Sequence, residues 1–182
     1  MRVVSGTLGG RSLVAPKGQT VRPTPDRVRE ALFSALGDLE GVSLLDLYSG
    51  TGAISFEAIS RGAARATAVE RDKRALEVIK KNATNLDVGP RLELIASDVK
   101  TALPRFVSGT RRFDVVFADP PYAEAGAVLP EVLAAALVIM AEGGLTVLEH
   151  SSRDEPPPTP PGLALERTKK YGETALAFYR RG

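Results

Sequence analysis

The chain alternates apolar, strand-like runs with amphipathic helical segments, and this alternation constrains its fold more than any other feature. Strands are predicted at 43–48, 65–69, 91–96, 113–118 and 144–149, and helices at 52–61, 72–86, 99–106 and 125–140. Strands that alternate with helices form a parallel sheet with helices on both faces. Two later strands, 163–168 and 174–180, lack an intervening helix and predict an antiparallel hairpin.

The N-terminal part adds a hairpin and a further helix. Val3 and Val4 are predicted to pair with residues 12–14. Thr24 is predicted as the N-cap of a helix that begins at Pro25, because Pro suits the first helical position. We therefore predict an α/β fold of three α/β/α layers. Its Rossmann-like sheet is mostly parallel with an antiparallel C-terminal hairpin, and a small N-terminal β-hairpin extension precedes it.

The length and composition suit a single domain. The chain has 182 residues, of which 43% are hydrophobic, and this is enough to bury one core. We expect one domain over 1–182, with a basic hairpin extension at 1–20 and the core at 21–182. The segment 155–162 contains five prolines and is predicted as a stiff surface loop between two strands rather than a polyproline ligand.

The composition also excludes several function classes. Because the chain has no cysteine, disulfides, zinc–thiolate sites and cysteine nucleophiles are excluded, and we expect no metal. No apolar run approaches the roughly 20 residues of a membrane span. The N-terminus lacks the apolar stretch of a signal peptide. We therefore expect a cytoplasmic monomer that does not associate with membranes.

Basic side chains are concentrated near the N-terminus, although the net charge is only +2. Residues 1–30 hold six basic side chains against two acidic ones. This asymmetry predicts a patch that faces an anion, with an ordinary solvated surface as the alternative. The residues expected to grip phosphates are Arg2, Arg11, Lys17, Arg22 and Arg27. For Arg22 and Arg27 the alternative is an ion pair with Asp26 or Glu30.

A glycine turn links the first strand of the sheet to a helix. The residues Asp46-Leu47-Tyr48-Ser49-Gly50-Thr51-Gly52 have the pattern D-x-x-x-G-x-G, and such glycines let the backbone approach a ligand. Asp46 places a carboxylate where a dinucleotide would need its pyrophosphate bound, so the turn favours an ammonium group. The third glycine of the dinucleotide motif is replaced by Ser55. A turn without any ligand is the alternative.

Two more carboxylates follow the next strands. Glu70 is predicted to accept hydrogen bonds from ribose hydroxyls, unless it caps the helix that begins at Asp72. Asp98 is predicted to accept from an adenine amine, to cap the helix at 99–106, or both. Three carboxylates at successive strand ends fit S-adenosylmethionine, which carries an ammonium, a ribose and an adenine. The rest of the predicted cofactor set is Tyr48, Ser49, Gly50, Thr51, Gly52, Arg71 and Val99.

The most specific motif follows the fourth strand of the predicted sheet and reads Asp119-Pro120-Pro121-Tyr122. Because proline has no N–H, this edge offers acceptors, namely the Asp119 carboxylate and the Pro120 carbonyl. Two acceptors can hold the two N–H donors of a base amine and favour its pyramidalisation toward a methyl donor. Tyr122 supplies an aromatic face for the base. A tight turn with a packed tyrosine is the alternative.

These segments resemble class I methyltransferases, within them the amino-methylating group marked by [DNS]-P-P-[YFW]. More closely, the chain is similar to the RsmD family of 16S rRNA guanine-N2 methyltransferases, through residues 22–33, 45–53, 60–63, 119–122, 170–174 and 178–179. The resemblance implies S-adenosylmethionine as donor and guanine 966 of 16S rRNA as acceptor. The small ribosomal subunit or its assembly intermediate is the implied partner, and in-line transfer to an unpaired base the implied chemistry.

The resemblance also assigns residues. It implies that Arg22, Pro23 and Thr24 bind the cofactor and that Asp119 to Tyr122 form the catalytic motif, while Arg2, Arg11, Lys17 and Arg27 would contact RNA. The chain departs from the family pattern at Ser49, where alanine is frequent, and at Ser55, where glycine is frequent. Both departures concern the packing of the cofactor.

Other functions remain open. A DNA adenine-N6 methyltransferase could use the same D-P-P-Y edge, although the chain leaves little room for a DNA-recognition domain. A catalytically silent RNA-binding assembly factor is the second alternative, and the intact acceptor edge disfavours it. A nicotinamide dehydrogenase is disfavoured by Asp46. We expect His150, the lone histidine, to be structural or incidental rather than a base.

Overall fold

The computed structural model describes residues 1–15 and 25–181. Its helices are α1 (Asp26–Leu36), α2 (Ala53–Ser60), α3 (Lys73–Leu86), α4 (Val99–Ser108) and α5 (Tyr122–Ile139), with a short 3-10 helix at Gly89–Arg91. Its strands are β1 (Ser43–Leu47), β2 (Arg65–Glu70), β3 (Leu92–Ala96), β4 (Phe113–Ala118), β5 (Met140–Ser151), β6 (Leu163–Tyr171) and β7 (Thr174–Arg181). The predicted alternation of strands and helices is confirmed.

The first of two compact units, Met1–Ser97, holds parallel strands in the order β3-β2-β1. Leu45 of β1 pairs with Thr67 of β2, which pairs in turn with Glu93 of β3. β1 is almost wholly buried, as its apolar run predicts, whereas β3 is half-buried. Because the strands are parallel, the residues that follow β1 and β2 lie at the same edge of the sheet.

The second unit, Asp98–Gly182, holds strands in the order β4-β5-β7-β6. β4 and β5 are parallel, with Ala118 opposite Leu148. β7 is antiparallel to both β5 and β6, and Thr174 lies opposite both Ser151 and Tyr171. Within the two units the strands are mostly parallel, with an antiparallel C-terminal hairpin, and the predicted fold class is confirmed.

Local sequence signals set several helix ends. Asp72 caps α3 by accepting a hydrogen bond from the Ala75 N–H at 2.8 Å, as expected at the start of this helix. Gly62 follows α2 with φ +107°, a backbone conformation that glycine adopts readily. At α1 the prediction is shifted by one residue, because Pro25 is the N-cap and Asp26 is the first helical residue. The predicted cap Thr24 lies outside the described residues.

Two elements begin earlier than predicted. α5 begins at Tyr122 rather than at 125, with Pro121 as its N-cap, so Tyr122 is helical. Pro121 has the extended ψ of an N-cap residue, and the helix begins directly after it. β5 begins at Met140, directly after α5, rather than at 144. Its first residues pair irregularly with β4, and the register shifts between Phe113 and Val115.

The helix α5 bears on the expectation that the chain does not associate with membranes. By length and composition alone this 18-residue helix, with mean hydropathy 1.6, could cross a membrane. The indication is weak, because a buried core helix passes the same test. The side chains of α5 that are buried in the fold are Val128, Leu129, Val132, Leu133, Ala135, Ala136 and Ile139.

The N-terminal segment forms the predicted chain reversal, but as one bridge rather than a ladder. Arg2 and Ser12 form an antiparallel bridge, and the Val3 N–H donates to the Arg11 carbonyl at 3.0 Å. At the turn, a Cβ on Gly6 would lie 1.9 Å from the Ser60 carbonyl oxygen, and φ at Gly6 is +81°. Only glycine allows the segment to approach α2 so closely.

A buried carboxylate fastens this segment to α2. Glu57 is fully buried and accepts hydrogen bonds from the Val4 N–H at 2.7 Å and the Ser5 N–H at 3.0 Å. The Arg61 Nε–H donates to the same carboxylate at 2.8 Å, so its charge is paired. Ser60 adds a contact, because its hydroxyl accepts from the Leu8 N–H at 2.9 Å. The N-terminal segment is therefore attached through polar groups of one helix.

The proline-rich segment connects β5 to β6, as predicted. The buried Tyr179 of β7 holds it by donating its hydroxyl to the Pro157 carbonyl at 2.9 Å. Burial raises the pKa of Tyr179 to about 12. The hydroxyl therefore keeps its proton at physiological pH and remains a donor to this loop.

Candidate functional site

The glycine turn after β1 has the geometry of a ligand-binding loop. Tyr48, Gly50 and Gly52 all have positive φ, at +64°, +55° and +77°. A Cβ on Gly52 would lie 2.7 Å from the Phe56 ring, so no larger residue fits where the helix begins. The turn is closed by the Gly52 N–H, which donates to the Ser49 carbonyl at 2.7 Å. The backbone of this loop is thus fixed.

Asp46 lies at the end of β1 and is buried, with 1% of its surface exposed. Its carboxylate accepts from the Ser55 N–H at 3.2 Å and the Ser55 hydroxyl at 2.7 Å. Ser55, which stands where the dinucleotide motif has glycine, therefore holds this acid in place. The sequence showed the substitution, but gave no sign that the hydroxyl would reach nine residues back to Asp46.

Glu70 ends β2 and is held by backbone donors from three residues. The Gly50 N–H donates to its Oε2 at 2.7 Å, and the Arg71 and Asp72 N–H groups donate to its Oε1, each at 2.8 Å. The side chain therefore joins the glycine turn to the start of α3. An ionised carboxylate accepts about four hydrogen bonds, so Glu70 retains capacity for about one more. Accepting from two hydroxyls requires that it share or release a backbone donor.

Asp98, at the start of the second unit, caps α4 by accepting from the Lys100 N–H at 2.8 Å. The capping alternative predicted for this residue is confirmed. Val99 is buried as the first residue of α4, and Arg71 is exposed. In the glycine turn Thr51 is buried, and the Ser49 hydroxyl donates to the Val69 carbonyl at 3.3 Å.

The Asp119-Pro120-Pro121-Tyr122 segment follows β4 and leads directly into α5. Pro121 has φ −50° and ψ 137°, and its carbonyl accepts from the Glu124 N–H at 2.8 Å. The Pro120 carbonyl accepts no hydrogen bond from the described residues. Tyr122 is 53% exposed, so the alternative of a packed tyrosine is not realised. Asp119 is half-buried. The segment thus combines a carboxylate, a carbonyl acceptor and an exposed ring.

Some of the predicted phosphate-binding residues make contacts within the fold. Arg11 donates to the carbonyls of Asn85 and Leu86 at the end of α3. Arg2 lies 3.8 Å from Asp26, in an exposed pair. Arg27 is exposed and has no ion pair within the described part of the chain. The predicted residues that lie outside the described ranges are Lys17, Arg22, Pro23 and Thr24.

Two buried groups lie outside the predicted site. The sequence does not single out Arg29, whereas His150 is expected to be structural or incidental. Arg29 is fully buried and donates to the Arg2 carbonyl at 2.7 Å and to Asp26 at 2.9 Å. Asp26 therefore pairs with Arg29 and Arg2, not with Arg27. His150 is 3% exposed, and its Nε2 has no hydrogen bond within residues 1–15 and 25–181. Burial lowers the pKa of His150 below its ordinary value.

The described residues include no group of three or more His, Cys, Asp or Glu side chains that could hold a metal ion. Their polar groups are instead arranged as two separate sets. The first unit holds Asp46, the glycine turn and Glu70 at the carboxyl ends of β1 and β2. The second unit holds the acceptor edge after β4. The first set suits a ligand with positive and hydroxyl groups, and the second suits an N–H donor.

The chain is similar to known proteins over almost its whole length. The family described as Conserved hypothetical protein 95 matches residues 1–180. The Escherichia coli K12 protein named Ribosomal RNA small subunit methyltransferase D is 33% identical over 184 residues, which cover 100% of this chain and 90% of that protein. A solved hypothetical protein from Thermus thermophilus matches with a TM-score of 0.85 and 34% identity, over 98% of each chain. SMU.776, solved in complex with SAH, is 16% identical with a TM-score of 0.69, over 85% of this chain and 48% of that one, and shows a likeness of fold alone.

Proposed function

Because this chain belongs to the family described as Conserved hypothetical protein 95, the RsmD family, we propose that it methylates the exocyclic N2 amine of guanine 966 in 16S rRNA. It is an RsmD-like methyltransferase of small-subunit rRNA, and S-adenosylmethionine is its methyl donor. The proposal that the methyl acceptor is an exocyclic amine rests on the edge after β4, where Asp119 and the Pro120 carbonyl lie beside the exposed Tyr122.

The side chains of the first unit fit S-adenosylmethionine. The charge of Asp46 suits the ammonium group, and the remaining acceptor capacity of Glu70 suits a ribose hydroxyl. When bound, the cofactor supplies an electrophilic methyl group on a sulfonium. We assign its binding to the predicted set of Arg22, Pro23, Thr24, Asp46, Tyr48, Ser49, Gly50, Thr51, Gly52, Glu70, Arg71, Asp98 and Val99.

The edge after β4 holds the amine. Asp119 and the Pro120 carbonyl each accept one N–H of the guanine N2, which fixes the nitrogen and directs its lone pair away from both acceptors. Proline has no N–H to compete for these acceptors. The exposed ring of Tyr122 stacks on the base, a contact worth about 1–3 kcal/mol in single-stranded nucleic acids.

The same residues support the chemical step. Bound S-adenosylmethionine would supply the methyl group, and the N2 nitrogen that accepts it at this edge would carry developing positive charge. The Asp119 carboxylate stabilises this charge in place and takes up the N–H proton that leaves. Losing one such preorganised group costs roughly 10²–10³ in kcat in other enzymes.

The substrate is RNA in which the target guanine is unpaired or flipped out, because a paired amine cannot reach the acceptors. We propose the small ribosomal subunit, or an assembly intermediate of it, as the partner. We also propose that the chain acts in the cytoplasm as a monomer with one catalytic domain, and that Arg2, Arg11, Lys17 and Arg27 contribute to RNA contact.

Transfer of labelled methyl groups from S-adenosylmethionine tests the proposal. Unmodified 16S rRNA, free and in small-subunit particles, is treated with the protein, and the product is mapped by mass spectrometry. We expect one N2-methylguanine. Asp119→Ala should lower kcat by at least about 10²-fold and leave cofactor affinity near that of the wild type. Asp154→Ala, which removes an exposed carboxylate of the same unit, is the matched control and should leave kcat unchanged.

The outcomes separate the candidate functions. N6-methyladenine in treated DNA, without methylated RNA, would show a DNA methyltransferase instead. RNA binding without turnover would show an assembly factor. Full activity of the Asp119→Ala variant would show that the acceptor edge is misassigned, even if guanine N2 is the product.

A further inference from the structure

A groove runs along α3 in the first unit, outside the glycine turn and the carboxylates described above. It has a volume of about 520 Å³ and lies between the end of the N-terminal segment and one face of α3. The residues that line it are Val14, Ala15, Lys73, Arg74, Glu77, Val78 and Lys81. Three of the seven are basic and one is acidic, and all four lie on α3, whereas Val14, Ala15 and Val78 are apolar.

The wall opposite α3 is held in place by side chains of that helix. The fully buried Asn82 accepts from the Val14 N–H at 2.8 Å and donates to the Val14 carbonyl at 3.1 Å. Arg11 donates to the Asn85 and Leu86 carbonyls at the end of the helix. Because both backbone groups of Val14 are bonded to one amide, the groove is a fixed part of the fold.

The basic side chains of the groove are not used by the described structure. Lys73, Arg74 and Lys81 are exposed, and no hydrogen bond or ion pair within residues 1–15 and 25–181 involves their side chains. The one carboxylate of the groove, Glu77, pairs with Lys80 at 2.8 Å, so the groove cations are left unneutralised.

Two of these cations also occupy an unfavourable place. Lys73 and Arg74 lie in the first turn of α3, which contains no acidic residue. The helix dipole is positive at this end, so a cation there is unfavourable. Nothing in the described fold compensates this cost through an ion pair of these side chains, whereas an anion in the groove would.

The geometry points to this groove as a binding surface for the sugar–phosphate backbone of RNA, formed by residues other than those proposed to bind the cofactor and the amine. From Lys73 to Lys81 the helix rises about 12 Å, which spans between three and four nucleotides at about 3.4 Å each. The cations suit phosphates, and the apolar side chains of Val14 and Val78 suit the sugar faces. The inference rests on the proposed function for the choice of RNA over another polyanion.

The test measures RNA affinity directly, apart from methylation. Small-subunit rRNA transcript is titrated with the wild type and with a triple variant, Lys73→Gln, Arg74→Gln and Lys81→Gln. We expect binding at least about tenfold weaker, and a dependence of log affinity on log salt that is shallower by about 2, as expected for three lost phosphate contacts. Arg65→Gln, which removes an exposed cation of the same unit outside the groove, is the matched control. Unchanged thermal unfolding shows that the variants fold.

Each result decides the matter. An affinity and salt dependence of the triple variant equal to those of the wild type would overturn the inference, and so would an equal loss in the Arg65→Gln variant. Weaker binding of the triple variant alone supports it, whether or not the protein methylates RNA. If the wild type binds RNA in the groove but transfers no methyl group, the proposed function fails and the binding surface stands.

Discussion

Replacing Glu57 by Gln tests how the N-terminal segment is attached to the fold. Glu57 is fully buried and accepts from Val4, Ser5 and Arg61, so its charge and both its oxygens are used. Glutamine keeps the shape but presents an NH2 group to one backbone donor. An unsatisfied buried N–H costs about 1–3 kcal/mol, and each remaining bond loses roughly half its strength without the charge. We expect Glu57→Gln to lower the free energy of unfolding by about 3 kcal/mol.

Urea and thermal unfolding measure this change. For a chain of this size 1 kcal/mol corresponds to about 2–4 °C, so the melting temperature should fall by roughly 6–12 °C. Hydrogen exchange adds a local measurement, because the amides of Val4 and Ser5 should exchange faster in the variant. Glu77→Gln is the control. Its carboxylate is 72% exposed in the pair with Lys80, and we expect a change below about 0.5 kcal/mol.

Equal unfolding free energies for Glu57→Gln and the wild type would refute this reasoning. Unchanged exchange at Val4 and Ser5, with a lower global stability, would show that the carboxylate stabilises α2 without holding the N-terminal segment.

Two further predictions concern buried groups near the proposed site and in β5. Ser55→Ala removes the hydroxyl donor to Asp46, so it should lower the free energy of unfolding, measured in urea, by about 2 kcal/mol. The control Ser34→Ala changes an exposed residue and should alter this free energy by less than about 0.5 kcal/mol. Equal effects of the two substitutions would contradict the role of Ser55. Burial lowers the pKa of His150 below 6.5 in the folded chain. As the pH falls, the unfolded chain therefore takes up the proton first, and the free energy of unfolding declines from about pH 6.5 down to the folded-state pKa. Comparing urea midpoints at about pH 7.5 and about pH 5.5 should show a smaller decline for His150→Gln, and an unchanged decline would assign the effect to other groups.

The sequence predicted those elements that depend on neighbouring residues. β4 has the predicted bounds, and both Asp72 and Asp98 cap the helices that follow them. These features follow from apolar periodicity and from bonds between residues two or three apart. The start of α5 was placed three residues late, because the exposed Tyr122 carries no periodic signal and only the preceding proline marks the helix start.

The polar contacts between distant residues were not predictable in the same way. The carboxylate of Glu57 accepts a hydrogen bond from the Val4 N–H, 53 residues away in sequence, and Asp46 accepts one from the Ser55 hydroxyl. No pattern in a single sequence links such pairs, since the fold alone brings them together. The candidate carboxylates could be located from the strand ends, but the three backbone donors that hold Glu70 could not, because every residue but proline carries an N–H.

The way Glu70 is held has a consequence for ligand affinity. A mobile glutamate loses roughly 1.5–2 kcal/mol of rotamer entropy when a partner immobilises it. Here the Gly50, Arg71 and Asp72 amides have already immobilised it when the chain folds. An arriving hydroxyl group therefore meets an acceptor whose orientation is settled in advance, and binding does not have to immobilise this side chain again.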